Sequence, residues 1–220
     1  MTTESHNTAG TLTLTSEGQI RAKPDIATID LGVVTEAPTA QEAVAKNAEL
    51  MNQVLDKIKA LGIPATDLQT SGFRISPIVD YQENSPTNGK VVGYRVEDTL
   101  RVTAPVALAG KVLDEGVGAG ANVADQLTFG LREETAYRHR AIQAAVKKAY
   151  SDAEALAQAM GVTLRGTTSV ELDFGRSVII ARSVLTAERA ATSIEPGTVT
   201  VSASVRMVMK YDKPSGKSKG

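Results

Sequence analysis

The sequence predicts an α+β fold with a mainly antiparallel sheet, two long helices and one shorter helix. Three observations support this class. Several segments alternate apolar and polar residues with the period of a β-strand, and two long segments carry apolar residues at helical spacing. Strand-like segments also follow one another directly between the helices, which is typical of α+β proteins. A weak β-α-β duplication is predicted as well, because each long helix ends at a Gly-apolar pair that a strand follows.

The composition excludes several classes of protein. The chain has 220 residues, which is enough to bury a core without disulfides or metals, and it contains no cysteine. The net charge is −1 with both signs interspersed, and there is no tryptophan on which a base could stack. No apolar run approaches the roughly 18 residues that span a bilayer. We therefore expect no nucleic-acid partner and no integral membrane segment.

The N-terminal part predicts two strands after a polar lead-in. Residues 1–10 are expected to be disordered. Leu12 and Leu14 alternate with threonine in the first strand-like segment, and the second alternates over 27–33. The connection SEGQIRAKPD is expected to separate the strands, because Pro24 disfavours one continuous central strand.

The first long helix has clear end signals. Thr39 is the predicted N-cap, and Glu42 completes a capping box. Gly62 followed by Pro64 predicts the C-terminal end. The apolar stripe at helical spacing consists of Val44, Ala48, Met51, Leu55 and Ile58.

A β-hairpin and a short helix follow. The segments LQTSGFRISPIVDY and VVGYRVEDTLRVTA read as its two strands, joined by a long, mobile tip. In the second strand only Asp98 interrupts the apolar parity. A shorter helix is predicted over about residues 105–115.

The glycine-rich stretch GVGAGANVADQLTFG resembles a phosphate-binding loop only superficially. Its three clustered glycines, Gly116, Gly118 and Gly120, come after a helix and before a strand. A phosphate-binding loop needs the opposite order, in which the glycines precede a helix N-terminus. The stretch is therefore interpreted as a helix stop and a turn.

The C-terminal part predicts the second long helix over about residues 136–160, ending at Gly161. Strands are predicted at TTSVELDFG and SVIIARSVL and in the final alternating segment, and the basic tail over 212–220 is expected to be disordered. The predicted helix stripe contains Ile142, Val146, Ala149, Ala153, Leu156 and Met160. The expected buried side of the last strand contains Val199, Val201, Ala203, Val205, Met207 and Met209.

No group of residues predicts a catalytic, cofactor-binding or metal site. His6 and His139 have no second ligand at metal spacing. Asp173-Phe174-Gly175 matches a kinase triplet, but the other kinase motifs are absent. The remaining candidates are interpreted as solvated or salt-bridged surface. They are the adjacent acids Asp114-Glu115 and Glu133-Glu134, and the basic residues Arg132, Arg138, Arg140, Lys147 and Lys148.

Six segments, in order, resemble blocks of the SIMPL-domain family and together cover roughly residues 11–211. Gln19 departs from the family pattern, which usually has a second glycine there. The segments are SEGQIRAKPDIATIDLGV, GIPATDLQTSGFRISPIVDY, GYRVEDTLRVT, Gly120-Ala121-Asn122 with LTFGL, AIQAAVKKAYSDAEALAQAMGV and IEPGTVTVSASVRMVMKY.

The resemblance implies a SIMPL-like domain over 11–211 and a location in the cell envelope. The family includes bacterial periplasmic immunogenic proteins and oxidative-stress defence proteins. It implies self-assembly into rings or channel-like multimers, and it implies no catalytic residues and no cofactor. We therefore expect a non-enzymatic, homo-oligomeric periplasmic or secreted protein, in a mature form without its signal peptide. The alternatives are a periplasmic module that binds a small ligand or peptide, and a hydrolase that uses a carboxylate pair.

Overall fold

The computed structural model describes residues 9–174, 178–180 and 194–212. Its long strands all pair antiparallel, so the predicted α+β class with antiparallel sheet is confirmed. The weak internal duplication stays a prediction. In chain order the elements are β1 (Ala9–Ala22), β2 (Ile26–Ala37), α1 (Ala40–Ala60), β3 (Leu68–Val79), β4 (Val91–Pro105), α2 (Ala109–Gly118), β5 (Val123–Gly130), α3 (Thr135–Met160), β6 (Thr163–Asp173), β7 (Val178–Ile180) and β8 (Thr198–Asp212).

These elements form two compact units, each with its own sheet. The first unit contains β1, α3, β6 and β8 in the strand order β1-β8-β6, and β7 also pairs with β8. The second unit contains α1, α2 and a sheet with the order β3-β4-β2-β5. The strands predicted on either side of Pro24 are therefore separate, as expected, and they belong to different sheets.

Strand β1 is longer than predicted at both ends. It begins at Ala9, which pairs with Asp212, and it continues to Ala22, so the connection to β2 is only residues 23–25. The prediction that SEGQIRA connects the strands was wrong, because these residues belong to β1. Its buried positions Ser16 and Gly18 are not large apolar residues, so the sequence lacks the apolar–polar alternation that indicates a strand. Residues 1–8 and 213–220 lie outside the described residues, and their expected disorder stays a prediction.

Helix α1 begins where its sequence indicates but is rotated about its axis relative to the prediction. The Glu42 N–H donates to the Thr39 hydroxyl at 3.2 Å, which confirms the cap, and Gly62 has a φ of +81° at the end. The buried positions pack against β2 and β4, and a buried asparagine lies among them. Met51 and Ile58 are buried as predicted, whereas Ala43, Asn47 and Val54 are buried in place of the predicted Val44, Ala48 and Leu55.

The hairpin of β3 and β4 is confirmed, and its tip is held by Asp80. The hydroxyls of Ser85 and Thr87 and the N–H of Gln82 all donate to this carboxylate. All three hydrogen bonds lower the pKa of Asp80, and the bond from Ser85 has the largest effect. The tip was expected to be mobile, because its polar sequence did not indicate these hydrogen bonds to Asp80.

The glycine-rich stretch lies at the end of α2, so the predicted order of helix, glycines and strand is confirmed. Gly116 is inside the helix rather than in the turn. A Cβ there would lie 2.6 Å from the Leu31 Cδ1, so close packing favours glycine at this position. Gly120 supplies the turn with a φ of +120°. The predicted start of this helix near residue 105 was too early, since a 3-10 turn over Val106–Leu108 precedes α2.

Helix α3 packs through alanine, and of the predicted apolar stripe only Ala149 and Ala153 are fully buried. The predicted residues Leu156 and Met160 are exposed, although Gly161 ends the helix in the left-handed conformation as expected. Ser16 on β1 donates to Asp152 on α3 at 3.1 Å. The buried positions all share a spacing of four and are Ala141, Ala145, Ala149, Ala153 and Ala157.

Strand β8 lies at the centre of the sheet of the first unit and matches its prediction residue by residue. All six predicted inward positions are buried. Three of them, Val205, Met207 and Met209, pack with the alanines of α3. Within the segment SVIIARSVL, predicted as a strand, the structure describes β7 over 178–180, and Ser177 and residues 181–185 lie outside the described residues.

Candidate functional site

The structure describes most of the residues considered for catalysis or metal binding, and these form no metal-binding group. His139 is exposed on α3, and His6 and Gly175 lie outside the described residues. Among the residues that the structure describes, no three His, Asp or Glu side chains could hold a metal ion. Asp114 and Glu115 lie on the exposed side of α2.

Two members of the basic group are bound to acids. Arg132 contacts Asp67 at 2.8 Å, and its hydrogen bond lowers the pKa of that carboxyl. Arg138 contacts Glu134 one turn earlier at 3.0 Å, and its guanidinium carbon lies 5.7 Å from the centre of the Phe174 ring. These contacts favour the interpretation of this group as a salt-bridged surface.

A polar group in the interior of the second unit was not predicted. Asn47 on α1 is 1% exposed and donates to the carbonyl of Val33 at 2.8 Å. Its Oδ1 is buried and has no hydrogen-bond partner among the described residues, and the same is true of the Asp98 Oδ1. Asp98 lies on β4 directly opposite Val33. Burial raises the pKa of Asp98, although a hydrogen bond from the Thr99 backbone opposes this.

Asn122 extends the pairing between β2 and β5. Its side-chain amide accepts from the Val34 N–H and donates to the Val34 carbonyl, both at 2.8 Å. Its own N–H donates to the Gly32 carbonyl at 3.0 Å. The residue therefore imitates a strand neighbour, which gives a structural reason for asparagine in the Gly120-Ala121-Asn122 segment.

Strand β6 leaves apolar side chains in solvent. Val170 and Leu172 are 55% and 43% exposed. They pair with Met207 and Val205, so they point to the face of the sheet on which α3 lies. Within the described residues no strand pairs with the outer side of β6. We call the segment Ser169–Asp173 the β6 edge.

Strand β3 shows the same arrangement in the second unit. Phe73 and Ile75 are 56% and 46% exposed, and they pair with Asp98 and Val96. Since Val96 packs against Ala43, both side chains point to the face of the sheet on which α1 lies. In the described part of the chain β3 pairs only with β4. We call the segment Gly72–Ser76 the β3 edge.

The opposite face of the first sheet carries a shallow polar cavity beside the β6 edge. Its volume is about 410 Å³. Arg206 and Glu171 form an exposed ion pair across it at 3.6 Å. Its lining is Thr15, Glu171, Leu172, Asp173, Ser204 and Arg206. The cavity offers polar contacts but no nucleophile with an adjacent base.

Two of the known proteins that resemble the chain are named as periplasmic. The chain is 38% identical over 156 residues to the 26 kDa periplasmic immunogenic proteins of Brucella melitensis and Brucella abortus, covering 70% of this chain and 62% of each relative. It is 31% identical over 152 residues to the uncharacterized protein YggE of Edwardsiella ictaluri, covering 69% of this chain and 63% of that protein. The match thus spans a little under two thirds of the length of these relatives.

These names confirm the periplasmic or secreted location expected from the sequence. No helix in the described part of the chain is both long and apolar enough to cross a membrane. The profile of the family SIMPL, described as "Protein of unknown function (DUF541)", matches residues 12–209. The chain therefore belongs to the SIMPL family.

Proposed function

We propose that this chain is a non-enzymatic, self-assembling protein of the periplasm that contributes to oxidative-stress tolerance. The observation that carries the proposal is the pair of unpaired edges, β3 and β6, with apolar side chains in solvent. An exposed apolar strand edge is a template for pairing with another chain. A second copy is always present, and most soluble oligomers consist of identical subunits.

The absence of an assembled reactive group among the described residues supports the non-enzymatic part of the proposal. A nucleophile, its base and an oxyanion site must meet within hydrogen-bonding distance. Of the predicted acid pairs, Asp114 and Glu115 are exposed on α2, and Glu134 is bound to Arg138. A screen of ester, phosphate and glycoside substrates is expected to give no turnover. Turnover that is lost on changing one acid would establish the hydrolase alternative instead.

Light scattering on a sizing column tests self-assembly. The wild-type protein, at near-physiological salt and several concentrations, is expected to elute as one multimer. A single-chain mass at every concentration would refute the assembly.

A strain that lacks the chain is expected to survive peroxide less well, and to recover when the chain is restored. Equal survival would refute the role in stress tolerance.

The second candidate is a binding module for a small ligand or peptide, and the buried oxygens of Asn47 and Asp98 favour it. A buried acceptor without a donor costs about 1–3 kcal/mol, which a ligand with a donor group would recover. Native mass spectrometry of freshly purified protein tests this candidate. A stoichiometric added mass, lost in Asp98→Ala, would support it, and a bare chain would count against it.

A further inference from the structure

We propose that copies of this chain assemble head to tail, with the β3 edge of one copy pairing antiparallel with the β6 edge of the next. This inference rests on the proposed self-assembly and names the surfaces that would carry it. The two edges differ from the other outer strands. The exposed residues of β5 at 123–126 are mixed, and the apolar side chains of β1 face α3.

The side-chain patterns of the two edges are complementary in shape and charge. On the β3 edge, Arg74 lies between Phe73 and Ile75. On the β6 edge, Glu171 lies between Val170 and Leu172. Both charged residues are exposed, and Arg74 forms no ion pair among the described residues. Glu171 has an exposed contact with Arg206 at 3.6 Å, which leaves its carboxylate accessible to a second cation. An antiparallel register that places Arg74 opposite Glu171 also places Phe73 opposite Leu172 and Ile75 opposite Val170.

The regular parts of both strands accommodate this register. The pairing of β3 with β4 shifts between Thr70 and Gly72 and again between Ile78 and Val79. The pairing of β6 with β8 shifts for the last time between Thr167 and Ser169. The five pairs from Gly72 with Asp173 to Ser76 with Ser169 fall within the regular part of each strand. Pro77 has no N–H and ends the ladder.

The faces of the two sheets also agree. Phe73 and Ile75 share a face with α1, and Val170 and Leu172 share a face with α3. The joined sheet would therefore carry the α1 of one copy and the α3 of the next on one side, and the apolar side chains of both edges would cover each other. Such a head-to-tail contact produces a ring when its rotation closes and a filament when it does not.

Charge reversal tests the register. Arg74→Glu alone and Glu171→Arg alone each place like charges opposite one another, and each is expected to weaken assembly about five- to tenfold. The double variant is expected to assemble like wild type. An equimolar mixture of the two single variants is also expected to assemble, because each edge then meets an opposite charge on the other variant.

Light scattering reports these masses, and hydrogen exchange reports protection of residues 72–76 and 169–173. Matched controls are Arg21→Glu and Glu17→Arg on the exposed side of β1, which should assemble like wild type. If wild type assembles but Arg74→Glu and Glu171→Arg do so equally well, this interface is wrong and the proposed self-assembly stands. If wild type remains a single chain at every concentration, both proposals fail.

Discussion

Gly18 marks the closest approach of α3 to its sheet, and Gly18→Ala tests that packing. A Cβ at this position would lie 2.2 Å from the Ala141 carbonyl oxygen and 2.3 Å from the Ala145 nitrogen. Both obstructing atoms belong to the helix backbone, so no rotamer change can relieve the contact. The helix would have to move away by about 1 Å, which forfeits roughly a quarter to a half of the dispersion energy along its alanine face.

We expect Gly18→Ala to lower the free energy of unfolding by about 3 kcal/mol, the upper end of the usual cost of overpacking. Urea unfolding followed by far-UV circular dichroism measures this as a lower midpoint with an unchanged slope. The matched control is Gly118→Ala, where the added Cβ meets no atom within 4 Å and the stability should hold or rise by about 0.5 kcal/mol. A Gly18→Ala protein as stable as wild type would refute the close approach of β1 and α3.

Three further substitutions test the second unit, whereas Gly18 belongs to the first. Asp98→Asn is expected to stabilise the protein at neutral pH. Burial raises the pKa of Asp98 above its unfolded value of 3.8, so wild type loses stability as the pH rises through the folded-state pKa, and the asparagine variant does not. Equal urea midpoints for the two proteins from pH 3 to 8 would contradict this. Asn122→Ala removes both bonds to Val34 and should cost about 1–3 kcal/mol in urea unfolding, whereas an unchanged midpoint would show that these bonds do not hold the β2–β5 pairing. Thr39→Ala removes the cap of α1 and should cost about 1 kcal/mol, with Thr39→Ser as the control that keeps it.

The elements that the sequence predicted correctly are those whose signals are local. The N-cap at Thr39, the glycine stops at Gly62 and Gly161 and the strict alternation of β8 each depend on a few neighbouring residues. The order of helix, glycines and strand likewise excluded a phosphate-binding loop, because such a loop needs its glycines ahead of a helix. Strand periodicity is most reliable where one face is fully buried and the other polar, as it is in β8.

The predictions that failed concern small residues in close packing. The buried face of α3 is alanine, and β1 continues through Ser16 and Gly18, because the helix and the strand approach too closely for larger side chains. A search for large apolar residues at helical spacing therefore selected Leu156 and Met160, which lie in solvent. In α1 a buried asparagine occupies a position at which the pattern favours an apolar residue.

The sequence by itself determined the α+β class, the family, the envelope location and the ends of the long helices, because local backbone chemistry and ordered motif blocks carry that information. Only the tertiary structure decided which strands share a sheet, which helix faces are buried and which apolar residues remain exposed. Phe73 and Ile75, like Val170 and Leu172, alternate as buried strand residues do. Their exposure follows from their place on an outer strand, which depends on pairing between residues that are distant in the chain.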